Sequence, residues 1–261
     1  MRLVPDDLGN AVPLPDQVRR VVSLVPSLTE SLAACDPALL AGVTRWCTHP
    51  PGLGVPRLGG TKNPDVPGII ALRPDLVLAN EEENRAADLH ALRAAGVPVW
   101  VTRVRCLAEG LASLDRMLTV ACGLPKPAWL DAAAKAWDEV TRPAIRDRHA
   151  IVPIWRRPWM VLGQDTFAGD VLSRLGVGNV YEAHEQRYPK IDLATLRESG
   201  ADLVVLPDEP YRFTADDGPE AFPDMPVALV SGRHLTWYGP SLGAAPQVLA
   251  AQLATARQPR A

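Results

Sequence analysis

The sequence predicts an α/β protein: two α/β lobes joined by a long helix, with a ligand cleft between the lobes. Three observations carry the two-lobe expectation. The first is local. Residues 21–25, "VVSLV", form a short apolar run of strand length, Pro26 ends it, and "PSLTE" opens a helix, the strand-to-helix step of an α/β unit. The second is an internal repeat. "ALRPDLVLAN" (71–80) has a counterpart in "LRESGADLVVLP" (196–207), and "GVPVWV" (96–101) in "DMPVALV" (224–230). Aligning Asp75 with Asp202 gives an offset of 127, and aligning Pro98 with Pro226 gives 128. The third is the segment 107–149, helical in pattern over most of its length, which separates the two copies.

Taken in order, the elements follow from local chemistry. "DDLGNAVPLP" (6–15) places a Gly-Asn turn between short extended pieces and predicts a leading hairpin. Ser27 and Glu30 have the S-x-x-E spacing of a capping box, which predicts Ser27 as the N-cap of the first helix. "LLAGVTRW" (39–46) and "VPRLGGTK" (55–62) each read as an extended piece running into a polar loop. Pro67 near the start of a short helix precedes a strand at 76–79. A helix over 84–95 stops at Gly96, and a strand follows over 97–101. The long helical segment breaks at "GLPKP" (123–127). Beyond the break Trp129, Ala133, Ala136, Trp137 and Val140 recur at helical spacing, and Pro143 must kink or end the helix. Extended pattern returns at 150–155, a helix follows at 168–175, and a final helix runs over 244–256. The expected division is an N-terminal lobe over 1–124, a connecting helix over 125–148 and a C-terminal lobe over 149–261.

Composition narrows the function. Hydrophobic residues make up 47% of 261 residues and the net charge is −3, which suits a folded core and gives no basic stripe for nucleic acid. No apolar run approaches a membrane span. Residues 1–17 lack the apolar region and cleavage site of a signal peptide, so a cytoplasmic location is expected, or a periplasmic or extracellular one if translation starts upstream of Met1. The four cysteines form neither a C-x-x-C nor a disulfide scaffold. Nucleophile elbow, Walker loop, zinc-protease and dinucleotide signatures are all missing from the sequence. That favours binding over catalysis and gives no metal site.

The candidate binding residues lie where strands run into loops, the edge at which open α/β sheets hold ligands. Seven tryptophans is a high count, and Trp46, Trp155, Trp159 and Trp237, with Tyr188, Tyr211 and Tyr238, fall in such places. Flat amphipathic rings there suit a large flat ligand; the alternative is that they plug a core, as expected for Trp100, Trp129 and Trp137. In "IWRRPWM" (154–160) Arg156 or Arg157 meets an anionic group of a ligand, or pairs with a carboxylate of its own lobe. "NEEEN" (80–84) follows a strand and opens a helix, which places Asn80 and Glu82 at the cleft or on a solvated helix start. Cys47-Thr48-His49 is a lone C-x-H, leaving His49 as a ligand contact or an exposed loop histidine. His90 and His149 are expected to be structural or solvated.

"RVVSLVPSLTE", "GGTKNP", "ALRPDLVLAN", "GVPVWV", "WRRPWMVLGQDTF" and "TWYG" occur in order over residues 20–239, within a likeness that extends from about residue 6 to 253. The chain thereby resembles the helical-backbone metal receptor family, the class III periplasmic substrate-binding proteins, and within it the cobalamin-binding branch. The resemblance implies two Rossmann-like lobes, a rigid helix near 126–147, and a corrinoid or similar metal complex held by Trp46, Asn80, Met160, Tyr188 and the Trp237-Tyr238 segment. Thr61 and Lys62 of "GGTKNP" join the candidate set. The ligand is expected to be a reversibly bound cobalamin, another corrinoid or a related metal complex, with no covalent cofactor. Family importers dock on a permease through a glutamate on each lobe; the matching positions here are Pro67 and Ala194, with Asp65 or Glu198 nearby. Thr61 and Asn80 stand where the family's tryptophans are expected. These departures point to a cytoplasmic relative for storage, delivery or sensing, expected to be a monomer, the alternative being the binding component of an ABC importer for cobalamin or a ferric siderophore.

Overall fold

The computed structural model describes residues 1–140 and 148–258; Pro143, expected to kink the connecting helix, lies outside the described residues. The chain divides into two compact units. One comprises Met1–Val104, Ala108–Asp131 and Tyr238–Pro240; the other comprises the described residues within Arg105–Leu107, Ala132–Trp237 and Ser241–Ala261.

The first unit opens on a hairpin of β1 (Arg2–Pro5) and β2 (Ala11–Leu14). Its turn is held by Asp6, whose Oδ1 accepts from the backbone N–H of Leu8 and Asn10. Four parallel strands form its sheet in the order β4–β3–β5–β6: β3 (Val21–Ser23), β4 (Leu40–Val43), β5 (Leu76–Asn80) and β6 (Val99–Thr102). Helices α1 (Pro26–Ala33), α2 (Val66–Ala71) and α3 (Ala86–Ala94) connect them. Every residue of β5 is buried, as a strand covered on both faces requires. Val22, Ile69, Val77, Ala79, Leu92 and Val101 form the core around it. Helix α4 (Leu107–Asp115) runs on into a π-helical stretch, Arg116–Ala121.

The described part of the connecting helix is α5 (Ala128–Asp138). Its Leu130, Ala133 and Trp137 are buried, and the Trp137 indole N–H donates to Leu242 O at 3.1 Å.

In the second unit four parallel strands again form the sheet, in the order β10–β7–β11–β12. These are β7 (Arg148–Ile151), β10 (Val177–Asn179), β11 (Leu203–Pro207) and β12 (Val227–Val230). A hairpin of β8 (Pro153–Arg156) and β9 (Trp159–Val161) follows β7. Helices α6 (Phe167–Arg174), α7 (Leu193–Arg197), α8 (Gly232–Thr236) and α9 (Ala245–Leu253) complete it.

The repeat read from the sequence is a repeat of topology. In each sheet the strands run second, first, third, fourth. Val77 lies opposite Val99 in one, and Val204 opposite Val227 in the other, which reproduces the offsets of 127 and 128 residue for residue. The aligned aspartates do the same work. Asp75 Oδ2 accepts from Arg19 N and Arg20 N, and Asp202 Oδ1 accepts from His149 N, so each clips the start of the first strand to the start of the third. Asp65 and Asp192, again 127 apart, cap α2 and α7 through Gly68 N and Thr195 N.

One local expectation is corrected. Helix α1 starts at Pro26, Val25 is its N-cap, and no side chain caps it. Proline is favoured at the first helical position because the N–H it lacks has no helical partner there. Ser27 is therefore already inside the helix and buried, and the capping box does not form. The strand before it is also shorter than 21–25, although Leu24 N still donates to Leu78 O at 2.9 Å.

Candidate functional site

Most of the candidate residues lie in the loops beyond the carboxyl edges of the two sheets, six with the first unit together with Tyr238, and seven with the second. In the first unit, Trp46 leaves the end of β4 and is 60% exposed. The double glycine of "GGTKNP" is required beside it. Gly59 has φ +74, and a Cβ there would meet Asn63 O at 2.4 Å; a Cβ on Gly60 would sit 3.2 Å from Trp46 Nε1. The same loop reaches the end of β5. Lys62 Nζ donates to Glu82 O, and the Asn84 amide donates to Thr61 O at 2.9 Å. Asn80 closes the group from within the sheet. Its amide donates to Thr102 O and Oγ1, and its Oδ1 accepts from Glu82 N and Glu83 N, so it shapes the turn that presents Glu82. Trp46, Thr61, Lys62, Asn80 and Glu82 thus form one linked set. His49 is half-buried and its Nδ1 lies 3.2 Å from the Thr48 hydroxyl. Tyr238 is buried; burial pushes its phenol well above the ordinary value, with hydrogen bonds to Thr102 and Ser27 pulling the other way.

In the second unit the aromatic residues form a cluster. Trp155, 43% exposed, packs edge-on against Tyr211 at 5.6 Å, and Tyr211 lies 4.7 Å from Phe213. Trp159 stacks on Phe213 at 6.1 Å and meets Phe222 edge-on at 5.4 Å. Of the alternatives open for Arg156, the structure shows the intramolecular one. Its Nη1 pairs with Asp217 and its Nη2 with Glu220, while the Tyr211 hydroxyl donates to the other Asp217 oxygen at 2.7 Å. Burial alone would raise the Glu220 carboxyl, but hydrogen bonds from the Gly218 N–H, its own N–H and Arg156 outweigh it and hold it below the ordinary glutamate value. Met160 bridges to Lys190, beside Pro189 and Tyr188, and the Arg187 guanidinium lies 5.7 Å from the Tyr188 ring. Trp237 is buried, and its indole N–H donates to Glu209 Oε2 at 2.8 Å.

Glu209, Asp217, Glu220 and Phe213 were not singled out by sequence reasoning. For Glu209 a signal existed: it lies 127 residues after Glu82, the offset of the repeat, directly after the equivalent strand. Asp217 and Glu220 had none, because their partner Arg156 is more than 60 residues away. Burial raises the Glu209 carboxyl above its ordinary 4.5, opposed by the Trp237 hydrogen bond. The folded chain then holds a proton that the unfolded chain releases earlier, so stability falls as pH rises from 4.5 through the raised value. Replacing Glu209 with glutamine keeps an acceptor for Trp237 and is expected to flatten that part of the curve of denaturation midpoint against pH.

Among the described residues no three His, Cys, Asp or Glu side chains are placed to hold a metal ion, and no helix is long and apolar enough to cross a membrane. Residues 21–222 match the family model described as periplasmic binding protein. The chain belongs to the periplasmic binding protein family. Among family relatives, a vitamin B12-binding protein of Pectobacterium carotovorum is 23% identical over 251 residues, covering 90% of this chain and 88% of that one. Among solved structures, the periplasmic vitamin B12-binding protein BtuF of Vibrio cholerae matches with a TM-score of 0.73 at 17% identity, over 93% of this chain and 98% of that one. The periplasmic haem-binding protein RhuT of Roseiflexus matches with a TM-score of 0.74 at 21% identity, over 90% and 98%. These likenesses establish the two-lobed periplasmic binding protein fold.

Proposed function

We propose that this chain is a non-catalytic receptor for a corrinoid of the cobalamin class. The observation that carries the reading is the state of Arg156. The guanidinium best placed beside the aromatic cluster already has two carboxylates, Asp217 and Glu220, as partners. A ligand with exposed carboxylates or catecholates, such as haem or an anionic ferric siderophore, would compete with two carboxylates already in place and gain less from Arg156 than from an unpaired guanidinium. A corrinoid presents a flat apolar macrocycle edged with uncharged amides. Rings such as Trp155 and Trp46 supply stacking area for the first, and carboxylates such as Glu209 and Glu82 accept hydrogen bonds from the second. The names of the B12-binding relatives agree with this choice.

Storage, delivery or sensing in the cytoplasm is the role we favour. The support is that Pro67 and Ala194, in the first turns of α2 and α7, carry no charge. Asp65, one of the two acids near them, bonds to its own helix, while the other, Glu198, is exposed at the end of α7. The second reading, a binding component of an ABC importer, is favoured by the family match itself.

Equilibrium dialysis of the protein against equal concentrations of cyanocobalamin, haemin and a ferric hydroxamate tests the ligand class. Retention of cobalt with little iron is expected. Retention of iron in preference to cobalt overturns the corrinoid assignment.

A further inference from the structure

Beside the exposed indole of Trp46 lies a buried polar cluster. Ser23, Thr29, Thr44 and Cys47 are each fully buried and come from the end of β3, from α1, from the residue after β4 and from the loop beyond it. Thr29 Oγ1 lies 2.8 Å from Ser23 Oγ, 3.0 Å from Val25 O and 3.0 Å from Cys47 Sγ. Thr44 Oγ1 lies 3.1 Å from the same sulfur. A hydroxyl has one proton to give, and Val25 O is the i−4 carbonyl to which a helical threonine ordinarily donates. The Cys47 thiol is left as the group that joins α1 to the end of β4. Burial raises the thiol above its ordinary value, so it keeps its proton; its sulfur accepts from Thr29 Oγ1, and either group can donate in the pair with Thr44 Oγ1.

We infer that Cys47 is a positioning residue for the Trp46 indole, its thiol anchoring the loop from which that ring projects. The inference rests on the binding role proposed for Trp46. The backbone on either side of the ring is pinned: Arg45 N donates to Gly59 O at 2.8 Å, and Cys47 N to Thr44 O at 3.2 Å. Arg57 Nη1 donates to Cys47 O at 2.7 Å and to Thr44 O at 3.3 Å. Because Cys47 is held by its side chain as well, the backbone that carries Trp46 cannot shift without drawing the sulfur away from the Thr29 and Thr44 hydroxyls. A loop already held in place spares the ligand part of the cost of ordering the ring it carries.

The test uses the full chain labelled with 5-fluorotryptophan. The seven tryptophans give seven fluorine resonances, and Trp46→Phe identifies the one from Trp46. Cys47→Val and Thr44→Val remove polar atoms while keeping bulk; Cys47→Ser keeps a donor and an acceptor. We expect both valine variants to shift or broaden the Trp46 resonance of the ligand-free chain while the other six hold. The same variants weaken cyanocobalamin binding about five-fold, the worth of one hydrogen bond, and Cys47→Ser keeps both properties. An unmoved Trp46 resonance in both valine variants overturns the inference, as does an equal disturbance of all seven. Should the wild-type chain bind no cyanocobalamin, the proposed ligand falls, and the ligand-free spectra still decide the role of Cys47.

Discussion

Truncating Phe222 to alanine lowers the unfolding free energy by about 3–5 kcal/mol, the usual cost of removing a buried phenylalanine ring. Phe222 is fully buried in the core of the second unit with Ile151, Val204 and Leu206, and Trp159 rests edge-on against it. The cavity also removes the support behind the aromatic cluster. The chain divides into two compact units and Phe222 lies in the core cluster of the second, so the loss is expected to fall first on that unit. The expected denaturant curve is biphasic, with the second unit unfolding first and the buried Trp100 of the first unit reporting the later step. A single transition at the wild-type midpoint would show that Phe222 does not carry this core.

Replacing Trp46 or Trp155 with alanine reduces cyanocobalamin affinity by about ten- to thirty-fold each, the range of a tryptophan hot spot worth about 2 kcal/mol. Both rings expose apolar area at a sheet's carboxyl edge that a ligand can cover; Trp46 lends the fold little, and Trp155 lends it an edge-on contact with Tyr211 worth about 1 kcal/mol. Thermal midpoints should therefore stay close to wild type. Trp137→Ala provides the contrast: that ring is buried and bonded to Leu242 O, so its loss should lower stability. Its direct effect on affinity should be small. Affinity unchanged in both Trp46→Ala and Trp155→Ala would remove the stacking role from the account.

The sheets were legible in the sequence because their strands are short apolar runs and because the chain states the pattern twice. Asp75 and Asp202, Val77 and Val204, and Asp65 and Asp192 occupy equivalent places at one offset, and a physical need repeated at a fixed spacing can be read without coordinates. The capping box was misread because Ser27 and Glu30 have the right spacing, while Pro26 claims the first helical position one residue earlier. The candidate site was legible only as residue types. That Asn80 turns its amide inward, or that Arg156 is already paired, depends on partners such as Thr102, Asp217 and Glu220, which no local pattern connects to them. Glu209 lay within reach of the repeat, since Glu82 carried one step along the offset falls on it.

The most direct measurement of the central claim is calorimetric titration of the purified chain with cyanocobalamin. One saturable site of micromolar affinity or tighter, about −8 kcal/mol or stronger, is expected, with no chemical change in the recovered cobalamin. No saturable heat at millimolar cyanocobalamin, or steady conversion of the corrinoid to a product, would contradict it.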